Sequence, residues 1–154
     1  EMLLGAVYDP IHDELFFAEK GRGAYLNNKK IKLGVKEKIT NIVISLDIWK
    51  NAKYNLMKFQ EKIFKNFCVP TKRQCICLAG CYAAIGRMDV AVFAHNTPWD
   101  VAAISLICEE AGLKATELDG KKFIPRPEMK GIVIAKPKLH KEIMKYIKKY
   151  LVIE

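Results

Sequence analysis

The residues best placed to do chemistry are His95-Asn96-Thr97-Pro98-Trp99-Asp100. They follow a short apolar run, Val90 to Phe93, and open a stretch of helical spacing from Trp99 to Ala111 that Gly112 closes. In open α/β sheets, ligands bind at the carboxyl ends of strands, beside helix N-termini. A carboxylate in that position, Asp100, is a hard oxygen donor suited to Mg²⁺. The same spacing has a second reading that needs no ligand. Thr97 fits an N-cap, Pro98 the first helical position and Asp100 the third, a capping box worth ~1 kcal/mol. The two readings are compatible, because a first-turn side chain can also face outward.

Thr71-Lys72-Arg73-Gln74 repeats the capping-box spacing, at the head of a helix predicted from Thr71 to Ile85 and ended by Gly86. Lys72 and Arg73 then fall in the first turn, where cations oppose the helix dipole. Arg73 either faces a bound phosphate or points into water, where the penalty is only ~0.3–1 kcal/mol. Asp9-Pro10-Ile11-His12-Asp13 resembles a metal-binding Asp-Pro-x-Asp on the surface. Its fourth residue is His12, however, and the segment reads as a hairpin turn, so no metal is expected there. His140 lies on a lysine-rich helix and is expected to be solvated. No Ser-His-Asp or Cys-His constellation and no glycine-rich nucleotide loop stands out.

These candidates sit in 154 residues, 51% of them hydrophobic, enough for one domain or one domain plus part of another. No apolar run is long enough to span a membrane, and no basic region precedes the short apolar start, so no secretory signal is read. The net charge of +9 is spread along the chain without a basic patch interleaved with aromatics. Neither nucleic acid nor membrane is therefore expected as a partner; a basic surface suits small phosphorylated molecules. Five cysteines without framework spacing are read as free thiols in a reducing cytoplasm. Cys75, Cys77 and Cys81 are read as small buried thiols of the predicted helix, with Cys77 and Cys81 sharing a face.

The first forty residues predict antiparallel β structure: Leu3 to Tyr8, Leu15 to Ala18, Ala24 to Leu26 and Ile31 to Leu33, with turns at Asp9–Asp13 and Asn27-Asn28. No helix is read in this segment to cover them, and a bare hairpin is not stable alone. From Asn41 the order is strand, helix, helix, strand, helix, strand, strand, helix, an α/β layered unit with a largely buried sheet. Its first helix carries Ala52, Leu56, Phe59, Ile63 and Phe67 as an apolar stripe and ends before Pro70; its last is lined by Leu139, Ile143, Tyr146, Ile147 and Tyr150.

Three segments together resemble the inositol monophosphatase family, which also includes archaeal fructose-1,6-bisphosphatases. Gly5-Ala6-Val7-Tyr8-Asp9-Pro10, continuing through Glu19-Lys20-Gly21 to Gly23-Ala24-Tyr25-Leu26, looks like the family's hairpin. Tyr82-Ala83-Ala84-Ile85-Gly86-Arg87-Met88-Asp89 is similar to its Tyr-Val-Ala-x-Gly-x-x-Asp element. Trp99-Asp100-Val101-Ala102-Ala103, continuing to Glu110-Ala111-Gly112, resembles its late metal motif. The resemblance implies the carboxy-terminal portion of a layered αβαβα sandwich, with residues 1–37 left from an amino-terminal antiparallel sheet and 38–154 an α/β domain.

It also implies hydrolysis of phosphate monoesters by a metal-activated water, with Mg²⁺ as cofactor. Asp100 is the metal ligand it implies, and Arg73, Gln74 and Asp100 the substrate contacts. The family's other metal ligands, an upstream Glu and an Asp-Pro-x-Asp-Gly-Thr motif, precede the hairpin at which this chain begins. The carboxy-terminal end is expected to be complete and the amino-terminal end cut, and the chain alone is expected to be inactive. Gln74-Cys75-Ile76 replaces the family's Gly-Ser/Thr-Ala step, and Phe93 stands near a common substrate-contacting glutamate. Those departures support an alternative, a non-catalytic ligand-binding or interaction module. The exposed hairpin edge is then covered by a second copy or by the missing amino-terminal half.

Overall fold

The computed structural model describes residues 1–34, 39–47, 53–71, 75–94 and 97–153. The chain opens with four antiparallel strands, β1 (Leu4–Asp9), β2 (Glu14–Glu19), β3 (Gly23–Leu26) and β4 (Lys29–Lys30), in that order across one sheet. Asn27 and Asn28 join β3 to β4 with φ of 46° and 64°, the left-handed pair that a tight two-residue hairpin demands. There follow β5 (Ile42–Asp47), β6 (Tyr54–Asn55), α1 (Met57–Asn66), β7 (Cys68–Thr71), α2 (Ile76–Ala84), β8 (Val90–Phe93) and α3 (Pro98–Glu110). The chain ends with β9 (Lys114–Thr116), β10 (Ile132–Ala135), α4 (Pro137–Tyr150) and β11 (Val152–Ile153).

The second sheet runs in the order β7-β5-β8-β10-β9. Its strands β7, β5 and β8 are parallel, while β10 and β9 are antiparallel additions. The β-branched run of β5 lies at its centre with Ile42 and Ile44 fully buried, as a strand covered on both faces requires. Alternation sends Ile42, Ile44, Val90, Val92 and Val133 to one core, shared with α1 and α4. It sends Ala91, Phe93, Ile132 and Ile134 to a second core, shared with α2, α3 and the inner face of the first sheet through Phe16, Ala18 and Ala24. The described residues therefore stack in four layers: sheet, helices α2 and α3, sheet, helices α1 and α4. This is the α/β layered architecture expected.

Several expectations are corrected. The hairpin is not uncovered: α3 lies across it, so closely that a Cβ on Gly5 would stand 2.9 Å from the carbonyl oxygen of Ala103. The helix predicted from Thr71 begins only at Ile76; Thr71 ends a parallel strand paired to β5, and the N-cap of α2 is Cys75. Capping-box spacing at Thr71 and Gln74 was a false signal, and Pro70 is accommodated on an edge strand. Cys75 is exposed outside the helix, whereas Cys81 and Cys108 are buried, where desolvation pushes their thiols far up. His140 is not solvated. It is 3% exposed, its Nε2 lies 2.8 Å from the Thr116 hydroxyl, and burial, with Lys114 nearby, lowers its pKa to about 4.

Candidate functional site

The strands β7 and β8 run parallel, and each leads directly into a helix, α2 or α3. Both helices therefore begin at the carboxyl edge of the parallel strands. They also lie side by side. The thiol of Cys77 donates to the carbonyl of Asp100 at 3.2 Å in their first turns, and that of Cys108 to the carbonyl of Gly80 at 3.3 Å further along. Contacts that advance together in both helices mean that the helices are parallel, with their positive dipole ends adjacent. A Cβ on Gly80 would stand 2.6 Å from Ile104 Cδ1, so glycine sets how closely the two N-termini approach.

The two N-termini are finished differently. On α3, Asp100 Oδ2 accepts from the Thr97 amide at 2.9 Å and from the Thr97 hydroxyl at 2.6 Å. The capping box read from the sequence is thus present, and Asp100 stays half-buried rather than sealed in. On α2, Cys75 makes no side-chain cap bond, leaving first-turn amides without that partner. An uncapped helix start beside a carboxylate can take an anion at one point and a cation at the other. Trp99, 79% exposed, flanks Asp100 on the solvent side.

Of the other predicted site residues, Arg73 and Gln74 lie outside the described residues, as do His95 and Asn96. Phe93, at the carboxyl end of β8, is fully buried in the inner core and offers no polar group. One carboxylate at this edge was missed by sequence reasoning: Asp47, half-buried at the end of β5 and paired in register with Phe93. An acidic residue closing a β-branched run is the signal that could have found it. Two residues before it on the same face, the Ser45 hydroxyl is fully buried with no hydrogen-bond partner among the described residues.

Oxygen donors of this kind suit Mg²⁺, but magnesium requires near-octahedral coordination. Among the described residues no group of three or more His, Cys, Asp or Glu could hold a metal ion. Among the described residues, this edge offers the carboxylates of Asp100 and Asp47 and not a whole metal site. Asp100 lines neither of two surface cavities, one beside Leu26, Lys30 and Ile85, the other between Lys20, Leu106 and Phe123.

Other motif residues prove to be fasteners. Asp9 is 2% exposed; its carboxylate accepts from His12 Nδ1 and the Tyr82 hydroxyl, both at 2.8 Å, and from the amides of Ile11 and His12. The bonds from His12 and then Tyr82 hold its pKa down at about 2. Glu110 accepts from the amides of Gly21 and Gly23 at 2.7 and 2.8 Å, clamping the β2–β3 turn to the end of α3. Asp89 accepts from the amide of Val43 at 2.7 Å, fixing the start of β8 against β5.

A family model described as the inositol monophosphatase family matches residues 1–151. Inositol monophosphatase 1 of Solanum lycopersicum is 32% identical over 125 residues, covering 78% of this chain and 46% of that protein. A fructose-1,6-bisphosphatase/inositol-1-monophosphatase of Thermotoga maritima is 26% identical over 147 residues, covering 96% of this chain and 56% of its own length. The solved structure of a Thermotoga maritima IMPase matches with a TM-score of 0.85 at 27% identity, over 97% of this chain and 57% of that one. The chain spans about half the length of the curated relatives it matches.

Proposed function

Since the chain belongs to the inositol monophosphatase family, we propose that it forms the carboxy-terminal part of a Mg²⁺-dependent phosphatase acting on small phosphate monoesters. The substrate class is inositol monophosphate or sugar bisphosphate, after the relatives' names. The observation that carries this reading is the joining of two parallel helix N-termini by Cys77 and Asp100 at the carboxyl edge of the parallel strands. The uncapped amides of α2 receive the phosphate. Asp100, with Oδ2 held by Thr97, keeps Oδ1 for the cation. Asp100 would be one of the residues holding Mg²⁺, which when bound would lower the pKa of an attacking water and offset charge on the leaving oxygen. Arg73 and Gln74, which precede α2 in sequence and lie outside the described residues, are the further substrate contacts this reading expects.

The remaining metal ligands come from a segment outside these 154 residues. Coverage of only about half of each relative supports this. So does the outer face of the first sheet, where Leu4, Tyr8 and Leu15 are exposed. In this reading residues 1–37 complete an amino-terminal antiparallel sheet, residues 38–154 form the carboxy-terminal α/β domain, and the enzyme works in the cytoplasm. The buried Phe93 and the Cys75 cap favour a second reading, a relative that binds phosphate esters without hydrolysing them.

The test is inorganic phosphate release from inositol 1-phosphate and fructose 1,6-bisphosphate with MgCl₂. It compares the isolated chain with the chain joined to whatever its gene encodes upstream. The joined protein should turn over, the isolated chain should not, and Asp100→Asn should cost the joined protein roughly a hundredfold or more. Comparable turnover by the isolated chain sinks the proposal. Ester binding without turnover by the joined protein selects the second reading.

A further inference from the structure

The chain's net charge of +9 is not spread evenly once it folds. Helices α1 and α4 pack together on the face of the second sheet opposite α2 and α3, joined by edge-to-face contact of Phe67 and Tyr146 at 5.4 Å. Residues 53–66 and 137–150, which build this layer, carry nine lysines and two glutamates. Seven of the nine net positive charges thus belong to one two-helix layer, and the other 126 residues are nearly neutral. From α4 come Lys138, Lys141, Lys145, Lys148 and Lys149, all exposed. The apolar stripe of α4, with Leu139, Ile143 and Ile147, is fully buried beneath them.

Tyrosines lie among these cations. Tyr146 and Tyr150 stack with ring centroids 6.3 Å apart, half-buried at the seam between the helices. The ammonium of Lys149 sits 5.3 Å from the Tyr150 ring, and that of Lys53 5.9 Å from the Tyr54 ring. Lysines that neutralise phosphates, beside rings that stack on bases, are the two parts of a single-strand binding surface. An anionic membrane is the poorer fit, because a membrane-surface helix must present apolar side chains to the lipid, and those of α4 are committed to the core.

We propose that the α1–α4 layer is a docking surface for single-stranded nucleic acid. The sequence hid it, since its lysines come from two segments some seventy residues apart and only folding gathers them. The surface lies on the far side of the sheet from Asp100, so the inference stands or falls apart from the phosphatase reading.

The test is fluorescence anisotropy of a labelled 20-nucleotide oligouridylate titrated with the 154-residue protein at 50 to 200 mM KCl. Binding should weaken with salt at a log–log slope of about −3, as for about four phosphates neutralised on a single strand. Replacing Lys141, Lys148 and Lys149 with Gln should weaken binding at least tenfold. The same charge change at Lys29, Lys30 and Lys32 should alter it less than twofold. Tyr150→Ala should weaken binding about tenfold and Tyr150→Phe should retain it, with folding of each variant checked by circular dichroism. The proposal is overturned by equal losses in the two lysine variants, by no binding at 50 mM KCl, or by tighter binding to phosphatidylserine vesicles than to the oligonucleotide.

Discussion

Asp100 has one role in the fold and a second only in the proposed function, and the two can be separated by experiment. Its Oδ2 closes the capping box with Thr97, a purely local duty. Asp100→Ala should therefore cost about 1 kcal/mol in urea denaturation, and Asp100→Asn, which keeps an acceptor oxygen, clearly less. If the carboxylate also holds the cation, both variants should abolish phosphatase activity in the joined protein alike. A loss of activity that instead tracks stability across the two would reduce Asp100 to a cap. His140 makes a different prediction. Its pKa of about 4 lies below the ordinary histidine value, so the unfolded chain takes up the proton first. Between pH 6.5 and 4 the unfolded state binds more protons, so stability falls as pH falls across that window, by up to ~3 kcal/mol, and is unaffected above it. Asp9 and Glu14, both held below their ordinary values of 3.8 and 4.5, weaken the fold as pH falls through those values, so their effect begins only at the lower end of that window and continues beneath it. His140→Gln should flatten the profile between pH 6.5 and 4. An unchanged profile would mean that His140 is not the group responsible.

At the scale of elements, the approach of the two helix N-termini depends on how closely α2 and α3 pack. Gly80→Ala would drive a methyl group into Ile104, at 2.6 Å from Cδ1 and 2.8 Å from Cβ. Overpacking of this kind costs about 1–3 kcal/mol, and Ile104→Ala in the same chain should recover part of it in thermal unfolding. No recovery would place the strain elsewhere. Glu110 fastens the far end of α3 to the hairpin through two glycine amides. Glu110→Ala should destabilise by about 1–3 kcal/mol and speed hydrogen exchange at Gly21 and Gly23. These fasteners explain what the sequence could and could not reveal. Where periodicity is strong the sequence was legible: the strand Val90–Phe93 to the residue, and the last helix by its apolar face from Leu139 to Tyr150. The start of α2 was not, because Thr71 and Gln74 mimic a cap and the edge strand Cys68–Thr71 is only four residues long. The lysines around His140 mask its position: it stands four residues before Met144 and seven before Ile147, on the buried stripe. Asp9, Tyr82 and Glu110 acquire meaning only when partners up to 89 residues apart meet, which no local pattern records.

For the whole molecule, the question is what covers the first sheet. Its inner face is buried against α2 and α3, but the outer face presents Leu4 at 64%, Tyr8 at 54% and Leu15 at 44% exposure. Leu15 stands opposite Tyr8 in the register, and Ala6 opposite Phe17, so these side chains form one continuous patch. Monomeric proteins rarely leave such a patch open, and β1 also lies at the edge of its sheet. In the joined protein that face should be occupied by the upstream segment. In the isolated chain it should bind a hydrophobic dye and drive self-association. Sedimentation velocity should then show oligomers that grow with concentration, and replacing Leu4 and Leu15 with Lys should return a monomer without disturbing the circular dichroism spectrum, because neither side chain belongs to the inner core. A monomer at all concentrations with no dye uptake would mean that the patch needs no cover.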